Sequence, residues 1–141
     1  MKFQCNQYMK TVKVIIERSK DMYSAYSENV EGIYGAGDTP VEAKKSILKS
    51  ISLVKKYNKT NHHIPAILTG PYKIVYKFDT ESLLNYYKGI FSNSALEKIT
   101  GINQKQLQHY SSGLKKPRPV QREKIQIALH QLGSELLAVQ L

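Results

Sequence analysis

The sequence contains one cysteine, few acidic residues and no long apolar run. Cys5 cannot form an internal disulfide and cannot build a zinc site by itself, so we assign it no role. No apolar segment approaches the ~18 residues needed to span a bilayer, and the first six residues lack the apolar core of a signal peptide. We therefore expect a cytoplasmic protein without a membrane partner.

The shortage of acidic residues leaves a formal net charge of +10, from 21 Lys plus Arg against 11 Asp plus Glu. Such an excess favours polyanionic partners and accelerates association with them. It is spread along the chain, with 13 basic and 7 acidic residues in 1–79 and 8 and 4 in 80–141. Charge therefore suggests a class of partner but does not locate a nucleic-acid site.

The first part of the chain contains four short segments that are β-branched or alternate between apolar and polar residues. These segments predict β-strands, the first three of which would form an antiparallel meander. They cover residues 11–18, 22–28, 30–35 and 72–78. Before the fourth, Thr39 and Glu42 form a capping box, and Pro40 suits the first helical position. We therefore expect a helix to about residue 57 and a loop over residues 58–71.

From residue 80 onward the apolar residues recur at helical spacing, and the pattern predicts helices only. Five helices are expected, each starting at a capping residue or a proline. They would begin at Thr80, Ser92, Asn103, Pro119 and Ser134. Gly133 would end the fourth helix. We therefore expect a small α+β domain over residues 1–79, followed by an all-α five-helix domain over 80–141.

Residues 93–117 carry the strongest functional pattern, because they can form two short helices joined by a tight turn. Gly101 permits the turn, while Ile102 and Leu107 would fill the space between the helices. The next helix then exposes side chains that can bond base edges, and a basic loop follows it to hold phosphates. The residues expected at this surface are Gln104, Lys105, Gln108, His109, Ser112, Lys115, Lys116 and Arg118.

The spacing of these residues resembles the Cro/cI-type (XRE-type) repressor family over about residues 81–140. Gly101 matches the glycine of the family's turn, and Gly113 matches the glycine after its recognition helix. The resemblance implies that Asn93 and Asn103 also contact DNA, and that the protein binds a palindromic operator as a homodimer or a higher homo-oligomer. The alternative is a helical bundle whose polar third helix only faces solvent.

Residues 35–51 resemble the signature of HicB-type antitoxins, in which a glycine precedes a G-D-T triplet and an E-A pair. These positions are Gly35, Gly37-Asp38-Thr39 and Glu42-Ala43. Over about residues 10–79, the resemblance implies a partial RNase-H-like fold that binds and blocks a HicA-like mRNA-cleaving toxin. It also implies that the helix-turn-helix domain represses the protein's own operon. The predicted function is therefore that of a type II antitoxin.

Two other functions fit the same sequence. One is a free-standing transcriptional regulator whose N-terminal domain serves only for oligomerisation. The other is a basic RNA-binding adaptor or a decayed nuclease fold.

Catalysis is not expected, because two-metal hydrolysis needs clustered carboxylates and the first strand has no acid before Glu17. His62 and His63 lack a further ligand at metal-binding spacing. The glycines at 35 and 37 lack the third glycine of a dinucleotide fingerprint. We therefore expect neither a metal nor a cofactor.

Overall fold

The chain is described here by a computed structural model that covers residues 9–61 and 63–141. Its contacts divide the chain into two compact units, Met1–Phe78 and Asp79–Leu141. Cys5 and His62, which have no predicted role, lie outside the described residues. Each unit is built from short elements whose ends are set by local residues, and each has its own apolar core.

Four strands in the first unit form one mixed sheet. They are β1 (Lys10–Arg18), β2 (Tyr23–Ser27), β3 (Tyr34–Gly37) and β4 (Tyr72–Phe78). The strand order is β3-β2-β1-β4. β1 pairs antiparallel with β2 and places Ile16 opposite Ala25, and β2 pairs antiparallel with β3. β4 lies parallel to β1, with Val14 opposite Tyr76.

Helix α1, Pro40–Asn61, packs on one face of this sheet. The Thr39 hydroxyl accepts a hydrogen bond from Glu42 N at 3.1 Å, and the Glu42 carboxylate accepts one from Thr39 N at 3.2 Å. The helix residues buried against the strands recur at one-turn intervals, and they are Ala43, Ile47 and Ile51. Fully burying an isoleucine contributes about 1.5–3 kcal/mol, so this stripe holds the helix on the sheet.

Gly35 and Gly37 allow β3 to approach α1 closely. A Cβ atom at Gly35 would collide with the backbone of Ile47, whose Cα would be only 2.9 Å away. A Cβ atom at Gly37 would lie 2.7 Å from Ala43 N. Glycine is required at both positions because a larger residue would push the strand and the helix apart.

Four α-helices form the second unit. They are α2 (Thr80–Tyr86), α3 (Asn93–Thr100), α4 (Gln104–Ser111) and α5 (Pro119–Leu137). Asp79, rather than the predicted Thr80, caps α2, and its side chain accepts a hydrogen bond from Ser82 N at 2.7 Å. α5 begins with proline at its first position, where the missing N–H costs nothing.

The predicted fold class is wrong. The described residues form an α+β fold with a four-stranded mixed sheet and five α-helices in all. The first three strands form the predicted antiparallel meander, but β4 joins the sheet as a parallel strand. The fold is therefore mixed, and it is not a meander followed by a separate all-α five-helix domain. β4 is parallel to β1 because α1 serves as the crossover that parallel strands require.

The helix predicted from Ser134 does not exist as a separate element, because α5 continues through Gly133 to Leu137. Glycine inside a helix costs about 1 kcal/mol relative to alanine, and burial of Ile125 and Ala128 on the same helix offsets this cost. Boundaries in the first unit also differ, and β3 spans Tyr34–Gly37 rather than the predicted residues 30–35. α1 runs to residue 61 rather than 57, and a 3-10 turn, Ala66–Leu68, lies in the predicted loop.

Candidate nucleic-acid interface

Helix α3 begins and ends at residues suited to those positions. At its start, the Ser92 hydroxyl accepts a hydrogen bond from Ala95 N at 3.0 Å. This bond satisfies one of the donors that a helix N-terminus leaves free. At its end, Gly101 has a φ of 72°, a left-handed conformation that favours glycine. The chain can therefore reverse sharply before α4.

The turn between α3 and α4 is fixed by the residues beneath it. The Thr100 hydroxyl accepts a hydrogen bond from Ile102 N at 3.1 Å, and the Ile102 side chain is buried. The buried apolar cluster contains Leu84, Leu96, Ile102, Leu107, Tyr110 and Ile125. Because these side chains come from all four helices and the turn, close packing holds α3 and α4 at a fixed angle.

Helix α4 has one buried and one exposed side. The Asn103 side chain caps it by accepting a hydrogen bond from Lys105 N at 2.8 Å. Leu107 and Tyr110 face the core. The exposed residues of the helix are Gln104, Lys105 and Gln108. Their amide and ammonium groups are of the kind that bond the edges of adenine and guanine.

His109 is less exposed than the sequence predicts. The residue is half-buried, and its Nδ1 is buried without a hydrogen-bond partner among the described residues. Its backbone carbonyl accepts hydrogen bonds from the Ser112 hydroxyl at 3.2 Å and from Lys115 N at 3.1 Å. The backbone of His109 therefore anchors the basic loop to the end of α4.

The predicted site residues Asn93 and Gln108 are in direct contact. Asn93 Nδ2 donates a hydrogen bond to Gln108 Oε1 at 2.9 Å, so the first turn of α3 meets the exposed side of α4. Both residues line a cavity of ≈200 Å³ together with Lys88. The sequence did not predict Lys88 as part of this surface. The apolar spacing of the sequence predicts that the first helix of this unit runs from Thr80 through Phe91 and so includes Lys88. That helix ends at Tyr86, which places Lys88 in the exposed segment before α3.

The basic loop after α4 starts at Gly113, whose φ is 77°. The carboxylate of Glu81 occupies the space next to it, with its Cδ 3.2 Å from where a Cβ would lie. Asn85 of α2 donates a hydrogen bond to Ser111 O at 2.8 Å and so holds the end of α4. The polar side chains exposed in and beside this loop are Ser112, Lys115, Lys116 and Arg118. The loop therefore presents three cations directly after the polar surface of α4.

Comparisons with family models, with curated proteins and with solved structures find no match for this chain. Within the part of the chain that the structure describes, no helix combines the length and the apolar character needed to cross a membrane. In residues 9–61 and 63–141, the His, Cys, Asp and Glu side chains form no group of three that could hold a metal ion. The geometry of α3, α4 and the basic loop is therefore the basis on which a function is proposed.

Proposed function

We propose that this chain is a sequence-specific DNA-binding transcriptional regulator whose α4 enters the major groove. The observation that carries the proposal is the division of α4 into two sides. Leu107 and Tyr110 fix one side against the core, while Gln104, Lys105 and Gln108 are exposed on the other. The major groove of B-DNA, ~12 Å wide, admits an α-helix and displays a distinct pattern of donors and acceptors for each base pair.

The groups around α4 are suited to hold the DNA backbone. Lys115, Lys116 and Arg118 are exposed beyond the C-terminal end of α4, and Lys88 lies beside Asn93 near the start of α3. Phosphate contacts of this kind position a protein on the duplex, while base contacts select the sequence. In this proposal Asn93 and Asn103 contact DNA at the helix starts, and Gln104 and Lys105 supply the sequence preference.

We further propose that the protein acts in the cytoplasm as a homodimer on a palindromic operator. Exposed apolar residues near the end of α5 support self-association, and they include Leu136 at 60% and Leu137 at 91% exposure. Two symmetric copies would place their α4 helices in successive major grooves, with half-sites about 34–36 Å apart.

Footprinting on the promoter of the gene's own operon tests this proposal. We expect two protected half-sites related by two-fold symmetry, about one helical turn apart. A duplex with both half-sites scrambled is the control and should bind only as weakly as unrelated DNA. Absence of protection, or equal affinity for the scrambled duplex, would refute sequence-specific autoregulation.

For the first unit we propose binding of a HicA-like toxin, as the resemblance to HicB-type antitoxins implies. The signature residues all take part in the junction between β3 and α1. Gly35 and Gly37 allow the close approach, and Thr39 and Glu42 cap the helix. Because the fold already uses these residues, toxin binding would require another surface of this unit. That unit is basic, so its toxin must present an acidic surface.

Co-expression of the full chain with the product of the neighbouring small reading frame tests toxin binding. We expect a stable complex and recovery of growth when both proteins are made. Loss of growth recovery with normal operator binding would favour a free-standing regulator. Preference for single-stranded RNA over the operator duplex would instead favour an RNA-binding adaptor.

A further inference from the structure

The two edges of the sheet in the first unit differ in what they offer to another strand. At the β3 edge, Tyr34 N donates a hydrogen bond to Ser50 Oγ at 3.4 Å, and Ala36 N donates one to Ser46 Oγ at 3.2 Å. Helix α1 therefore satisfies the outward donors of β3. β4 is the last strand at the other edge, and among the described residues no strand pairs with its outer side.

A groove of ≈480 Å³ lies beside this outer edge, lined by α1, β4 and the segment between them. Its apolar surface is formed by Leu48, Ile51, Ile64, Tyr72 and Ile74. Three lysines of α1, Lys55, Lys56 and Lys59, line the same groove, and its lining includes no acidic residue. The groove is therefore both apolar and positively charged.

Positive charge is held close to β4 on both of its faces. On the groove side, Lys55 Nζ lies 5.1 Å from the centre of the Tyr72 ring, within the range of a cation–π contact. Lys73 and Lys77 alternate with the partly buried residues of the strand and are exposed on the opposite face. A strand added to this edge would therefore meet lysines on each side.

We propose that β4 binds an acidic, extended segment of a partner protein as a fifth strand. Successive side chains of a strand point to opposite faces, so one set of the segment's residues would enter the apolar groove. The other set would face Lys73 and Lys77, where carboxylates are favoured. Main-chain hydrogen bonds to a sheet edge supply affinity in such complexes, and alternate side chains supply specificity. The partner segment is therefore one in which apolar and acidic residues alternate.

Other occupants fit this edge less well. A second copy of the chain would bring Lys73 and Lys77 of both copies together, and like charges across a strand pair are destabilising. Residues 1–8 contain Lys2 and no acidic residue, so they lack the charge that the groove requires. A single-stranded nucleic acid would match the charge, but its bases need exposed aromatic faces, and the one aromatic residue in the lining already has Lys55 over its ring.

Fluorescence anisotropy with the full chain and a labelled peptide of alternating glutamate and valine tests the proposal. A peptide of the same composition, with the glutamates and valines in two separate blocks, keeps the charge and removes the alternation. We expect the alternating peptide to bind about tenfold more tightly, since only it can satisfy both faces of β4. N-methylation of alternate peptide nitrogens should abolish this advantage, because it removes the donors that pair with the strand.

Charge reversal on α1 tests the position of the site. Lys55→Glu combined with Lys59→Glu should weaken peptide binding by about tenfold or more, because truncating or reversing charges at an interface costs affinity directly. Lys45→Glu combined with Lys49→Glu makes the same change in net charge at exposed positions of the same helix, outside the groove lining. This control pair should change the affinity less than about threefold.

Any of the following results would overturn the proposal that β4 binds an acidic strand. Absence of binding by the alternating peptide, equal binding of the block or N-methylated peptide, and equal losses in the two reversal pairs would each do so. Displacement of the peptide by single-stranded oligothymidine at equal concentration would assign the groove to nucleic acid instead. The inference does not rest on DNA binding by α4, because the groove belongs to the first unit and operator affinity is measured separately.

Discussion

Lys116 offers a quantitative test of whether the basic loop holds DNA phosphates. The residue is exposed and lies beyond the end of α4, where a phosphate contact positions the protein but does not read sequence. Lys116→Ala should therefore weaken binding to the operator and to unrelated DNA by the same factor. The ratio between the two affinities should stay constant.

The size of the effect follows from counterion release. Each phosphate contact contributes a slope of about −0.9 to the dependence of log affinity on log salt concentration. Loss of one contact should therefore change the ratio of wild-type to variant affinity by a factor of ~3.5 between ~50 and ~200 mM salt. In a homodimer that loses one contact in each copy, the factor becomes ~12 over the same range.

Fluorescence anisotropy titrations at four or more salt concentrations provide the measurement. Lys20→Ala is the matched control, because it removes one exposed lysine from the turn after β1 and changes the net charge equally. It should leave the slope unchanged if the effect belongs to the loop. A Lys116 variant with the wild-type slope, or a Lys20 variant with the same reduction, would refute a phosphate contact in this loop.

Four other substitutions test base contacts, packing, and the approach of strand to helix. Gln104→Ala and Lys105→Ala should each reduce the preference for operator over scrambled DNA by ~1–3 kcal/mol in competition titrations; an equal loss on both duplexes would contradict a base contact. Leu107→Ala removes a fully buried side chain and should lower the free energy of unfolding in urea by ~2–5 kcal/mol, whereas an unchanged value would contradict its place in the core. Gly35→Ala should lower the free energy of unfolding by ~1–3 kcal/mol through overpacking, while Gly89→Ala, where a Cβ meets no atom within 4 Å, should not.

The elements that could be predicted from sequence are those set by neighbouring residues. Ser92 and Asn103 begin α3 and α4 as predicted, because a capping side chain acts on the backbone within three residues of it. Leu107 is buried because its spacing follows the helical period. The roles of the exposed residues on α4 in DNA binding remain predictions, since exposure alone does not identify a ligand.

The features that could not be predicted depend on contacts between distant residues. The alternation of apolar and polar residues in β4 is compatible with either strand direction. β4 runs parallel to β1 because the chain reaches it through the long crossover of α1. Val30 and Ile33 belong to the strand predicted over residues 30–35. In the structure they are buried in the turn before β3. The bond between Asn93 and Gln108 joins residues 15 positions apart, and no local pattern indicates it.

The hydrogen bonds that Ser46 and Ser50 accept from the backbone of the outer strand β3 limit the assemblies that this sheet can form. Growth of a fibre by strand pairing requires two free sheet edges on every subunit. Each added subunit must pair through one edge and leave the other free for the next subunit. Because α1 occupies the outward donors of β3, only the β4 edge can accept a further strand. Any association through its strands should therefore stop at a one-to-one complex, even at high concentration, and the same two serines would protect the chain from polymerising.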